Sequence, residues 1–568
     1  MGAIRHGHRA APQNPNGKER MQTMKQRKRI LSLALAGALA AGCLTGCGGT
    51  TEPAPESGAS AETAQTSAAP VEAVYPLADG DKTLTVYMKD ATSGAVGNWS
   101  NIKAFQVAAE KLGVNLEFIH PAVGSEADQF NLMIASGEYP DVILWDFRSS
   151  AMSLEQLVDA GVLVDMNDLI RTYAPNYLQV LAENETFRKE ATADNGEYLA
   201  LYSFSGRAPV SSGPAIRADL LREYGLEVPT TVDDWTNVLT VMKENGHAYP
   251  LTTGQNRDGS VWFELLLSTY DTSNSFCLDP ATGEVVYGPA TENYRSYLRK
   301  LNEWYDAGLI DPEFMANDGT AMNAKLTDGR SVAGNLMLSY HIANITNAAR
   351  QNNPNFEFVG CPWPVLQQGE EPKLIFINGG QYYSGSQAAI TTACEDPELA
   401  TQVLDYFYSE EGNDLLCWGI EGESYTVNED GTKQYTDAIM HDPNGLSPQE
   451  AILQYAIPLY NFSDVILNDS YVQMATTLPE QAAARDTWLD ADLSQNMPKL
   501  TVAAENQNDF NMIMNDVTTY VQEMYIQFLT GQADLDADWE TYVNTLNGMG
   551  LETAVGYERD AYKLYQAR

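Results

Sequence analysis

The chain has 568 residues with 34 basic and 76 acidic side chains, a formal net charge of −42. A surface of that sign repels phosphate backbones and anionic headgroups, which excludes a nucleic-acid-binding role. The length is enough for two or three domains.

The front end changes character several times within a short distance. Lys25, Arg27, Lys28 and Arg29 precede an apolar run over 30–42, shorter than the ~20 residues that a membrane-crossing helix needs, as a signal peptide's apolar segment is. Residues 1–23 read as an upstream extension. Leu44-Thr45-Gly46-Cys47 resembles the lipobox of bacterial lipoproteins, which implies cleavage before Cys47 and its diacylation; Ala40-Ala41-Gly42-Cys43 is a weaker second match. From 48 to 76 the chain is rich in Ser, Ala, Glu and Pro and poor in large apolar residues, so it has little to bury and reads as a tether. Residues 1–46 are therefore expected to be extension plus signal peptide, and 47–78 a lipidated cysteine with its tether.

Beyond the tether, 82–90 (KTLTVYMKD) alternates like a strand, and 98–112 has helical spacing that ends at Gly113. A second strand is expected over 114–120, a helix over 126–136 stopped by Gly137, and a buried strand over 141–146 (DVILWD). This β-α-β-α-β start predicts an α/β fold whose largely parallel sheet offers ligands the carboxyl ends of its strands. Farther on, a helix through Tyr224 stops at Gly225, and Thr231 with Asp234 can cap the next one. A hairpin is expected around 279–283, an amphipathic helix closed by Gly308, and a helix capped by Asp396 with Pro397 at its first position. The longest helical run lies at 508–529. No internal repeat is visible.

Catalytic and metal-binding signatures are missing. His120, His247, His341 and His441 are far apart, and Cys277, Cys361, Cys394 and Cys417 have no Cys-x-x-Cys spacing. One or two disulfides or single thiols fit those cysteines equally. No zinc-protease, phosphate-loop, nucleophile-elbow or dinucleotide motif occurs. The acids of DLDADWE (534–540) alternate as in a calcium loop, but Trp539 stands where that loop needs Gly. The expectation is no catalytic residues, no metal and no cofactor.

Aromatic residues outside regular core spacing stand out instead. Trp99 follows the first loop, Trp145 ends the third strand beside Asp146, and Trp262 follows TTGQNRDGS. Tyr340 follows an apolar run, Tyr382 and Tyr383 lie in INGGQYYSGSQ, and Trp418 in CWGIEGESYTV. Flat rings cover the apolar faces of sugars while neighbouring polar groups meet the hydroxyls. Core packing is the competing role for each ring, and the favoured one for Trp304 on its helix face.

Several segments together resemble extracellular solute-binding proteins, family 1, of carbohydrate ABC importers, in particular a long lipoprotein subgroup of Gram-positive bacteria. They are SGEYPDVILWD, IRADLLREYGLEVPTTVDDW, LNEWYDAGLIDPEF and DPELATQVLDYFYSEEGNDLLCWGIEGESYTV. The resemblance implies a two-lobe, maltose-binding-protein-like (type II) fold with a hinge and a cleft that closes on its ligand. It puts 79–200 plus 380–422 in lobe 1 and 201–379 plus 423–568 in lobe 2, with crossings near 199–204, 376–386 and 419–425. It implies Asp90, Trp145 and Asp146 on the first lobe's cleft face, with Trp262 and Tyr340 facing them and Tyr340 where many relatives carry Trp; the aromatic placement adds Trp99, Tyr382 and Trp418 to the expected ligand site. The partners implied are a carbohydrate ligand, ABC permease subunits and the membrane through Cys47, for a monomer on the extracellular face. A carrier of peptides or other polar solutes, or a secreted polysaccharide-active enzyme, is the alternative.

Overall fold

The computed structural model describes residues 70–568 apart from 93, 151, 207–209, 257–259, 374–382, 494 and 499. Its strands are β1 (Lys82–Met88), β2 (Val114–Ile119), β3 (Val142–Trp145), β4 (Leu201–Ser205), β5 (Ser212–Arg217), β6 (Phe276–Leu278), β7 (Val285–Tyr287), β8 (Ala333–Met337), β9 (Phe358–Gly360), β10 (Tyr383–Ile390), β11 (Tyr425–Val427), β12 (Lys433–Tyr435) and β13 (Val465–Ile466). No helix among the described residues is long and apolar enough to cross a membrane.

The first lobe is built on a six-stranded sheet of order β13-β4-β10-β3-β1-β2. β1 pairs in parallel with β2 and β3, and β13 with β4, while β10 runs antiparallel between β3 and β4. Five strands thus point the same way and their carboxyl ends share one edge. The apolar run of β3 is buried at every position, as a strand covered on both faces requires. The expected first helix starts later than its spacing suggests. Asn98 accepts from the Ser100 amide to open a short 3₁₀ turn, Trp99–Asn101, and the α-helix proper is Lys103–Leu112. Gly113 ends it at φ 65°, with its N–H on the Ala109 and Glu110 carbonyls.

The second lobe centres on the three-stranded antiparallel sheet β8-β5-β9. One face carries the helices Val232–Glu244, Glu292–Asp306 and Ala504–Leu529 over a core that includes Trp235, Trp304 and Tyr525. The other face receives the helix Pro479–Leu489, and two glycines let it approach. A Cβ on Gly213 would stand 2.5 Å from the Trp488 ring, and one on Gly360 2.5 Å from the Ala484 Cα. The Thr231–Asp234 capping box forms as its spacing predicts.

The chain passes between the sheets where β4 leads to β5 and where β9 precedes β10. The third passage is not at 419–425. β13 adds to the edge of the first sheet, pairing Val465 with Phe204, and Leu453, Ile457 and Phe462 belong to the first core. The residues between form a satellite cluster of Trp418, Tyr425, Tyr435 and Met474 against that lobe. The chain reaches the second lobe only between the helices Asn468–Ala475 and Pro479–Leu489. The boundary at 422/423 is therefore corrected to 475–479. A local hairpin, β11–β12, had taken the place of the expected crossing, and a two-residue edge strand gives little pattern to read.

Asp464 ties this edge strand down. Its carbonyl accepts from Phe204 N at 2.9 Å, and its buried carboxyl accepts from Phe462 N at 3.0 Å. Burial pushes that carboxyl up to about 7. The folded chain then keeps a proton that an unfolded aspartate releases near pH ~4, so this group's contribution falls as pH rises from ~4 to ~7. Asp464→Asn removes that term. Urea denaturation across this range is expected to show the stability difference between variant and wild type moving in the variant's favour as pH rises.

A candidate ligand site at the carboxyl edge of the first sheet

Residues paired directly across strands point to the same face of a sheet. Trp145 at the end of β3 pairs with Gln387 of β10, which pairs on its other side with Tyr202 of β4. These three side chains therefore form a row on one face, level with the start of β4 and with the carboxyl end of β3, the end at which open α/β sheets bind their ligands. Phe130 stacks on Trp145 with centroids 4.5 Å apart and planes 6° from parallel. The Lys89 ammonium lies 4.5 Å from the same centroid, and a ring already stacked at that spacing leaves it only the opposite face. Trp145 itself is only 6% exposed: Phe130 covers one face and the exposed Lys89 side chain the other, so a ligand reaches the ring only by displacing Lys89.

Beside the row is a cavity of about 450 Å³ lined by Phe147, Arg148, Tyr202 and Gln387 of the first lobe. Its opposite wall comes from Thr501, Val502 and Asn508 at the start of the helix Ala504–Leu529, and from Leu564 and Arg568 at the end of the helix Leu551–Ala567. Arg148 donates to Glu190 Oε2 at 2.9 Å and to the Glu190 carbonyl at 2.6 Å, with its guanidinium 5.3 Å from the Tyr202 ring. Arg568 donates to Asp194 Oδ1 at 2.6 and 3.1 Å and to the Lys189 carbonyl at 3.1 Å. Gln387 is fully buried. Its Oε1 accepts from Phe147 N at 2.8 Å, and its Nε2 has no hydrogen-bond partner among the described residues.

The second lobe presents its own polar and aromatic edge. Leu251 bridges in parallel to Ala333, so the segment after it runs alongside β8. Trp262 is partly buried, edge-on to Tyr525 at 4.6 Å. Next to it Glu264 accepts from the Asn335 amide at 2.9 Å, and burial raises its carboxyl above the usual range. Tyr340 lies in the π-helical turn Leu338–Ala343 just after β8 and is 42% exposed. Gly319 makes room for it, since a Cβ there would stand 2.7 Å from the Tyr340 hydroxyl. Burial lowers His341 to about 4, so its neutral ring accepts from Met337 N and holds the turn at ordinary pH.

The sequence-derived site residues divide. Trp145, Asp146, Trp262 and Tyr340 stand at strand ends or on the loops after them, Asp146 opening the turn Phe147–Ser149. No ring contact joins Trp145 to Trp262 or Tyr340 among the described residues. Trp99 is a correction: it is fully buried against Phe105, Phe118 and His120. Trp418 is another, enclosed between Tyr425 and Tyr435. Asp90 acts on its own turn. Burial pushes its carboxyl up, but hydrogen bonds from Thr92, Trp99 Nε1 and Gly94 outweigh this and hold it below the usual range. Tyr382 and Cys47 lie outside the described residues. Arg148, Tyr202 and Gln387 were missed. The legible signal was Gln387, an amide entering the apolar run of AAI.

No group of three or more His, Cys, Asp or Glu side chains among the described residues is placed to hold a metal ion. Cys277, Cys361, Cys394 and Cys417 are all free thiols, which removes the disulfide alternative in this structure.

Two sheet-based lobes joined by chain passages, with a cavity at the edge of the largely parallel first sheet, define the two-lobe binding-protein fold, mixed α/β in content. The solved structure of the alginate-binding protein AlgQ2 is similar, with a TM-score of 0.65 at 21% identity over 86% of this chain and 99% of that one. So is the Streptococcus pneumoniae ABC-transporter substrate-binding protein FusA in complex with kestose, with a TM-score of 0.64 at 21% identity over 86% of this chain and all of that one. In sequence the chain is 24% identical to FusA, described as a fructooligosaccharide ABC transporter substrate-binding protein, over 469 residues covering 78% of this chain and 83% of FusA. It is also 24% identical to the lipoprotein LipO of Bacillus subtilis over 350 residues, 58% of this chain and 65% of LipO. The bacterial extracellular solute-binding protein profile matches residues 97–414, and the chain belongs to that family.

The burial pattern separates packing rings from exposed ones. Trp99→Ala and Trp418→Ala are each expected to lower stability by about 3–5 kcal/mol. Tyr340→Ala, at an exposed turn, should stay within ~0.5 kcal/mol of wild type. Urea denaturation of the three variants checks both.

Proposed function

We propose that this protein captures an oligosaccharide outside the cell and hands it to the permease subunits of an ABC importer. The observation that carries this reading is the row of Trp145, Gln387 and Tyr202 leading into a cavity of about 450 Å³ walled by both lobes. Aromatic faces with amide and hydroxyl neighbours suit sugar rings, and a cavity of that size suits a small glycan. The likeness to FusA, whose described ligands are fructooligosaccharides, points the same way. Trp262 and Tyr340 are the second lobe's contributions as the cleft closes over the ligand. Asp146 and Tyr382 belong to the same proposal through their places in the sequence.

The protein works as a monomer held at the extracellular face by a lipid on Cys47. The basic start, short apolar run and Leu-Thr-Gly-Cys support this anchor, as does the likeness to a lipoprotein. Binding proceeds without turnover, since transport families of this kind present their ligand intact.

Glycan-array or thermal-shift screening is expected to find an oligosaccharide that raises the melting temperature and is recovered intact by mass spectrometry. Trp145→Ala should weaken it by ~2 kcal/mol or more, about thirtyfold, and, because the ring is buried, also lower stability by about 3–5 kcal/mol. A ligand cleaved over many turnovers, or a screen in which only peptides bind, would count against the reading. Cys47→Ala is expected to release the protein from the membrane fraction or leave an unprocessed precursor. Normal processing and retention of that variant would remove the anchor.

A further inference from the structure

We infer that the cavity at the carboxyl edge of the first sheet takes an uncharged sugar ring and rejects uronates, with Gln387 Nε2 as the donor that meets a ring or hydroxyl oxygen. This rests on the carbohydrate reading above and narrows it to a ligand class.

The argument begins with the cavity's cations. Two guanidinium groups line it, and each is already neutralised. Arg148 and Glu190 form a pair whose side chains are 8% and 1% exposed. Arg568 is held by Asp194, with the Lys189 carbonyl as a further acceptor. The remaining charged side chains on the wall, Glu155 and Glu505, are carboxylates. A ligand carboxylate entering this space would have to break an existing pair or stay unpaired beside like charges. Both cost free energy that an uncharged hydroxyl does not. The surrounding potential of an acidic chain also disfavours the approach of anions.

What the cavity does offer is hydrogen bonding to neutral groups. Gln387 is wholly buried, its Oε1 is committed to Phe147 N, and its Nε2 is left without a partner among the described residues. A buried donor left unmet is costly, and sites built around such a group favour the ligand that satisfies it. Phe147 and Tyr202 add apolar ring surface, while Thr501 and Asn508 add uncharged polar atoms.

The test is calorimetric titration of the processed full chain with neutral trisaccharides (1-kestose, maltotriose, xylotriose) and with acidic ones (trigalacturonate, trimannuronate). At least one neutral sugar is expected to bind, with uronates about 100-fold weaker or worse. Gln387→Glu keeps the acceptor for Phe147 N but replaces the donor. At pH 8 it should lose about tenfold or more of the neutral affinity. Asp194→Asn, at a more exposed position, frees Arg568 and should narrow the gap between the two ligand classes. A uronate that binds as tightly as any neutral sugar overturns the inference and leaves the carbohydrate reading standing. Unchanged neutral affinity in a Gln387→Glu protein that melts like wild type overturns the role of Gln387. If neither class binds and a wider glycan screen is also empty, the carbohydrate reading itself falls.

Discussion

The structure depends on one strand running against the rest. β10 returns from the second lobe and inserts antiparallel between β3 and β4, hydrogen-bonding to both. Without it, β3 and β4 would face each other across an unfilled gap in the sheet, with backbone N–H and C=O groups left unmet in a dry interior. Its insertion joins the β1–β3 half to the β4–β13 edge. It also fixes the level at which Trp145, Gln387 and Tyr202 stand side by side. The same pairing that completes the first core therefore assembles the candidate site, and the chain that completes it has already built most of the second lobe.

Much of the architecture was legible because it is written in local signals. The alternation of KTLTVYM, the glycines at 113 and 137 and the Thr231–Asp234 box each act over a few residues, and each produced the element its spacing implies. The third chain passage was not legible. β13 is two residues long and holds its place through pairing with β4, far away in sequence. A crossing set by such a contact leaves little local pattern, and the β11–β12 hairpin supplied a misleading one.

The site was legible in position more than in membership. Strand ends can be read from sequence, so Trp145 and Tyr340 were found where loops leave the sheets. Whether a tryptophan near a strand end turns inward cannot be read the same way. Trp99 donates its Nε1–H to Asp90 and fills the space beside Phe105, satisfying its polar atom without a ligand. Trp418 packs against Tyr425 and Tyr435 inside a small cluster of its own. Gln387 and Arg148 escaped because their roles come from neighbours brought by other strands and helices. An arginine gains meaning from Glu190 beneath it, and an amide from the carbonyl partner it lacks.

The last helix has a mechanical consequence. Leu551–Ala567 is rooted in the second lobe, where Leu551 and Val555 enter the core and Arg559 donates to the Val285 carbonyl. Its far end grips the first lobe through Arg568 on Asp194 and Lys189. It thus runs from the second lobe to the first, alongside the chain passages. One helix therefore carries core contacts of the second lobe at one end and an ion pair to the first lobe at the other. Separating the lobes at this point requires breaking the Arg568 bonds to Asp194 and to the Lys189 carbonyl. Salt screens that ion pair on its exposed Asp194 side, while Arg568 is largely buried, so raising the ionic strength weakens the tie between the lobes only in part.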